Sequence, residues 1–91
     1  LLDLTVMVVD DEADLREVLK YTLSKFCARV CAYSDANTAL EYLKEHKVDL
    51  VISDMKMPKV DGIEFLQRLR CQQQIQQPKF VFISGGVDLP S

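Results

Sequence analysis

Short apolar runs alternate along this chain with stretches of helical periodicity, and each run ends on oxygen-bearing side chains. Val6-Met7-Val8-Val9 gives way to Asp10-Asp11-Glu12, the run over Asp49 to Ser53 stops at Asp54, and Phe80-Val81-Phe82-Ile83 stops at Ser84-Gly85-Gly86. Apolar runs of this length, rich in β-branched or aromatic residues and bounded by turn signals, predict strands buried on both faces. Arg29 to Tyr33 carries a weaker strand signal. Between the runs, Leu15, Val18, Leu19, Thr22/Leu23 and Phe26 recur at helical spacing and predict one face of an amphipathic helix. Ala36, Ala39, Leu40 and Leu43 predict a second helix, with Ser34-Asp35 as its cap. Ile63, Leu66 and Leu69 predict a third, opened by Asp61-Gly62-Ile63-Glu64, which resembles a capping box. The glutamine-rich stretch from Gln72 to Pro78 reads as a loop.

The order β-α-β-α-β-α-β, with connections too long for hairpins, predicts right-handed crossovers. The fold class is therefore α/β: a doubly wound parallel sheet with helices on both faces and strand order 2-1-3-4. At 91 residues the chain makes a single domain, and a hydrophobic content of 48% is too high for a disordered segment. The net charge of −3 argues against direct nucleic-acid contact. No apolar run is long enough for a membrane helix and no signal-peptide pattern opens the chain, so a cytoplasmic location is expected. Cys27, Cys31 and Cys71 match no metal or redox spacing and are expected as plain thiols. His46, in Lys44-Glu45-His46-Lys47, is expected at a solvated helix end.

The chemistry gathers at the strand ends. In a parallel sheet of this order, Asp10 and Asp11 after the first strand, Asp54 after the third and Ser84 after the fourth share one edge. Each has a bland reading taken singly: an acidic first helical turn, a turn cap, a turn residue before two glycines. Taken together they form a carboxylate cluster with no basic residue in it. Such a cluster repels itself and either binds a proton or takes a hard cation such as Mg²⁺.

At these residues the chain resembles the receiver domains of two-component response regulators, the chemotaxis-regulator-like branch of the flavodoxin-like folds. The matching motifs are Val9-Asp10-Asp11, Asp54-Met55-Lys56-Met57-Pro58 followed by Asp61-Gly62, and Ser84-Gly85. The resemblance covers essentially the whole chain. It implies Asp54 as phosphoacceptor, and Asp11, Asp54 and the backbone carbonyl of Lys56 as Mg²⁺ ligands. It further implies that Asp10 holds metal-bound water and that Ser84 is the hydroxyl that follows the phosphoryl group. A sensor histidine kinase or phosphotransfer protein would be the donor. Catalysis would be confined to self-phosphorylation and dephosphorylation.

The family also carries a fifth strand, with a lysine facing the phosphoryl group, and two further helices; these 91 residues hold no counterpart. Since the chain opens on Leu1, trimming of a longer protein is the expectation, and residues 1–91 are read as a C-terminally incomplete receiver domain. A natural minimal receiver is the competing expectation. In either case the fourth strand would be an uncovered edge, so a homodimer or a segment swap through it is expected. Three alternatives remain beside phosphotransfer. The first is a pseudo-receiver that works only as a protein interaction module. A flavodoxin-like nucleotide binder is disfavoured by the acids of Asp10-Asp11-Glu12, which would repel phosphate. An aspartyl phosphatase is disfavoured by Lys56, where a second aspartate would be needed.

Overall fold

The computed structural model describes residues 1–83. Its elements are β1 (Leu2–Val9), α1 (Ala13–Leu23), β2 (Cys27–Tyr33), α2 (Ala36–Glu45), β3 (Leu50–Asp54), α3 (Gly62–Arg70) and β4 (Lys79–Ile83). The strands form one parallel sheet in the order β2-β1-β3-β4, as the alternation predicts. The chain reverses direction across the sheet between β1 and β3, and in open α/β sheets the ligand crevice lies at such a switch point. The pairs Val9↔Tyr33, Val9↔Ser53 and Ser53↔Phe82 bring the carboxyl ends of all four strands level.

Successive strand residues point to opposite sides, and the two sides of this sheet are covered differently. Met7, Val9 and Val51 join Ala36, Ala39, Leu40 and Leu43 of α2 and Phe65 and Leu69 of α3 in the buried core. Phe65 meets Phe80 of β4 edge to face, with ring centroids 5.4 Å apart. On the other side Val6 and Val8 are buried beneath α1, yet α1 buries none of its own residues.

Two helix faces differ from expectation. The inner face predicted for the first helix reaches Phe26, but α1 stops at Leu23, and Val18 and Phe26 are exposed. The α3 face is set by Gly62, Phe65 and Leu69, while Ile63 is exposed. Phe65, which meets Phe80 edge to face, takes the buried position, and Ile63 lies outside it.

The helix starts follow their caps. The Asp35 carboxylate accepts the Thr38 N–H at 2.8 Å, and the Asp61 carboxylate accepts the Glu64 N–H at 2.8 Å. Only half of the predicted capping box forms, because the Glu64 side chain pairs with Arg68 at 2.6 Å instead of turning back to Asp61. Glu12 precedes α1 without capping it. The Gln72–Pro78 stretch is a loop, but a fastened one: Ile75 is buried, and the Gln77 amide donates to the carbonyls of Leu69 and Gln72 at 2.8 and 3.3 Å. Cys27, Cys31 and Cys71 are free thiols, and His46 is the C-terminal cap of α2. No described helix is long and apolar enough to cross a membrane.

Candidate functional site

β1 and β3 each end by delivering a carboxylate to the same rim. Asp10 is fully buried just past β1, Asp54 is buried as the last residue of β3, and Asp11 is exposed between β1 and α1. One oxygen from each of these three carboxylates lies within 4.8 Å of the others. The rim is assembled by residues far apart in sequence, and the register of β1 against β3 brings them together.

The buried Asp10 is held at nearly every polar atom. Its N–H donates to the Tyr33 carbonyl at 3.1 Å, and its Oδ1 accepts the Glu12 N–H at 2.8 Å. Its own carbonyl accepts from Arg16 Nη1 at 2.8 Å. Asp10 Oδ2 is the exception: it is buried and has no hydrogen-bond partner among the described residues. Burial pushes the Asp10 carboxyl above its usual range; the Glu12 N–H opposes this, and the carboxylates of Asp54, Asp11 and Glu12 add to it. A buried carboxylate oxygen without a partner, on a residue clustered with two more acids, is costly unless compensated, and a hard divalent cation that takes oxygen ligands would relieve it. The donor set therefore fits Mg²⁺.

Around Asp54 the chain is tightly specified. The Lys56 N–H donates to Asp54 Oδ1 at 3.2 Å. Past Pro58, Lys59 takes a left-handed φ of 69°, and the Val60 N–H closes onto the Pro58 carbonyl at 2.7 Å. A non-glycine residue at the centre of such a three-residue turn costs about 1 kcal/mol or more. The turn drives Val60 into the core and sets Asp61 to cap α3. Gly62 is required by a close approach: a Cβ there would collide with the Asp54 carbonyl oxygen and lie 3.0 Å from both Met55 Cα and Phe82 Cε1.

Of the residues singled out in the sequence, Asp10, Asp11 and Asp54 converge; the contact Lys56 makes there is its N–H to Asp54 Oδ1, not one through the carbonyl expected as a ligand. Ser84 lies outside the described residues. Arg16, which the sequence pattern did not single out, reaches back from α1 to the main-chain carbonyl of Asp10. The available signal was an arginine in the first turn of a helix, where the dipole disfavours it. A cleft of about 410 Å³ opens beside the acids, lined by Asp11, Ser34, Asp35, Pro58 and Lys59 among others. A larger groove of about 530 Å³ between α2 and α3 includes none of the three acids.

A doubly wound parallel sheet with an acidic rim at its switch point defines a small α/β signalling or nucleotide-type fold, and comparison with known proteins decides between these. The family model for the response regulator receiver domain matches residues 6–91. The response regulator Rre1 of Synechocystis sp. is 38% identical over 83 residues, covering 90% of this chain and 36% of that protein. The transcriptional regulatory protein FixJ of Bradyrhizobium diazoefficiens is 37% identical over 85 residues, covering 93% of this chain and 40% of that protein. Among solved structures, the chemotaxis response regulator CheY4 of Vibrio cholerae superposes with a TM-score of 0.80 at 29% identity, over 88% of this chain and 67% of the other. The chain belongs to the response regulator receiver family. It spans two fifths or less of the length of these two regulators.

Proposed function

We propose that this receiver takes a phosphoryl group onto Asp54 from a phosphohistidine on a sensor kinase or phosphotransfer protein, with Mg²⁺ as cofactor. The observation that carries this reading is the convergence of Asp10, Asp11 and Asp54, together with the buried, unpartnered Asp10 Oδ2. Asp11, Asp54 and the Lys56 carbonyl would hold the ion directly, and Asp10 would hold it through water. When bound, the ion neutralises charge on the transferred oxygens and lets one anion approach another. The Lys56 N–H donates to Asp54 Oδ1 and steadies the carboxylate, whose oxygen is the nucleophile. An O–P bond forms to Asp54 as the N–P bond of the donor breaks, and the departing imidazole nitrogen takes up a proton. The cleft beside Asp11 and Lys59 gives the donor an approach. Ser84, next in the chain after β4, is the hydroxyl assigned to follow the phosphoryl group and shift the balance between two packings. Catalysis is limited to the domain's own phosphorylation and hydrolysis. The setting is cytoplasmic, and neither nucleic acid nor membrane is a direct partner.

Incubation with acetyl phosphate tests this directly. A mass increase of one phosphoryl group is expected in the presence of Mg²⁺, lost on chelation and lost in Asp54→Asn. Binding of Mg²⁺ with no phosphorylation, in a protein that still docks its kinase, would instead establish the interaction-module reading. A separate expectation concerns β4, which is the edge of the described sheet and carries Phe80, Val81 and Phe82. Unpaired strand edges of this composition recruit further strands. The 91-residue chain is accordingly expected to form a homodimer or exchange segments through β4, and light scattering that shows a monomer at high concentration would refute it.

A further inference from the structure

Ser53 is the one fully buried hydroxyl-bearing residue among those described, and it immediately precedes the phosphoacceptor. In register it lies between Val9 of β1 and Phe82 of β4, so apolar neighbours flank it across the sheet. A hydroxyl in that setting must find an acceptor or lose the free energy of its hydration. The acceptor it finds is the main-chain carbonyl of Asp54, at 2.9 Å.

The same carbonyl is confined from its other side. The Cα of Gly62 sits so close that any side chain there would strike the Asp54 oxygen. The Gly62 N–H donates to the next carbonyl, that of Met55, at 2.9 Å. Phe82 packs against Gly62 as well, with its Cε1 3.0 Å from the position a Cβ would occupy. The peptide linking Asp54 to Met55 is thus gripped between a buried hydroxyl and the first turn of α3. Rotation of that peptide, whose Met55 N–H donates to the Ile83 carbonyl of β4 at 3.3 Å, would swing the Asp54 carboxylate relative to Asp10 and Asp11, because Asp54 is the last residue of β3.

We infer that Ser53 is a positioning residue: its hydroxyl, acting with Gly62, fixes the backbone of Asp54 so that the carboxylate stays aligned with Asp10 and Asp11 for cation and phosphoryl binding. The inference rests on the reading of the rim as a Mg²⁺ and phosphoryl site. Groups that orient metal ligands from behind change metal affinity when removed, although they never touch the ion.

The test uses a shape-matched pair in the full 91-residue chain. Ser53→Thr keeps the hydroxyl and Ser53→Val replaces it by a methyl group of nearly the same size, so any overpacking is common to both. Ser53→Ala removes the hydroxyl without adding bulk and serves if the larger variants do not fold. Mg²⁺ affinity is measured by amide NMR shifts at a temperature where thermal unfolding shows every variant folded. Initial phosphorylation rates with acetyl phosphate are measured alongside. Ser53→Val and Ser53→Ala are expected to bind Mg²⁺ about tenfold more weakly than the parent, and Ser53→Thr is expected to restore binding. Equal Mg²⁺ affinity in the Thr and Val variants, or in the Ala variant and the parent where the larger two do not fold, would overturn the inference, since a merely structural hydroxyl would lower stability alone. If the parent binds Mg²⁺ but accepts no phosphoryl group, the proposed function fails while the hydroxyl-dependent affinity still decides the role of Ser53. If the parent binds no Mg²⁺, both fall.

Discussion

The two faces of the sheet are built from helices that look alike in sequence and end up unlike in the folded molecule. On one face α2 buries Ala36, Ala39, Leu40 and Leu43, and α3 buries Gly62, Phe65 and Leu69. On the other, α1 buries nothing completely and leaves Val18 59% exposed, while Val81 of β4 on the same side is 47% exposed. α2 and α3 cover the sheet together and are joined by the Arg68 to Asn37 hydrogen bond at 3.2 Å, whereas α1 lies over β1 and β2 with no described helix beside it. Periodicity names the residues that would face inward. How far inward they go depends on what stands opposite and alongside, and the helix's own sequence does not contain that.

The sharpest way to break this comparison is to delete one anchor from each face. Phe65→Ala removes a fully buried ring and is expected to cost about 3–5 kcal/mol in urea unfolding. Val18→Ala, its counterpart on α1, is expected to stay within about 0.5 kcal/mol. Comparable losses would show that α1 is as well packed as α3.

An intermediate effect is expected at the rim, where deep burial destabilises. Asp10→Asn is expected to raise the stability of the metal-free chain at neutral pH by roughly 1–3 kcal/mol, through loss of a buried, unpartnered charge. The sign follows from the raised Asp10 pKa: the folded state holds that proton more tightly than the unfolded state, so the penalty is full above the folded pKa. It shrinks as pH falls toward the ordinary value of 3.8, and the gain in Asp10→Asn must shrink with it. Paired denaturation curves at several pH values check this, and a pH-independent gain would contradict it.

The smallest expected effect contrasts the caps. Asp35→Ala should cost about 1 kcal/mol at neutral pH, because its carboxylate accepts the Thr38 N–H, whereas Glu12→Ala should cost little, since Glu12 caps nothing. The Thr38 N–H holds the Asp35 carboxyl below its usual range, so this contribution is present above 3.8 and disappears as pH falls through the lowered value. The two carboxylates thus move stability in opposite directions on acidification.

Much of the candidate site was legible because its residues fall at strand ends, where apolar runs stop abruptly at Asp10 and Asp54. What escaped were groups that act through the backbone. Arg16 and Ser53 hold carbonyl oxygens, and nothing in a side-chain pattern reports which carbonyl a donor will reach. Gly62 carried a faint signal, a poor helix former placed in a first turn. The shifted inner face of α3 escaped for another reason: Phe65 is buried and Ile63 exposed, and the aromatic partner of Phe65, Phe80, lies 15 residues away in the chain.

The sequence by itself determined the element order, the parallel sheet with its switch point, the caps at Asp35 and Asp61, and the identity of the acids on the rim. Those are consequences of local periodicity, turn chemistry and crossover handedness, all of which act over short stretches of chain. Only the tertiary structure decided which helix face sinks into the core, which carboxylate oxygen is left without a partner, and how the peptide after Asp54 is gripped. These depend on atoms brought together from β1, β3, β4 and α3, and their distances exist only once all four are packed.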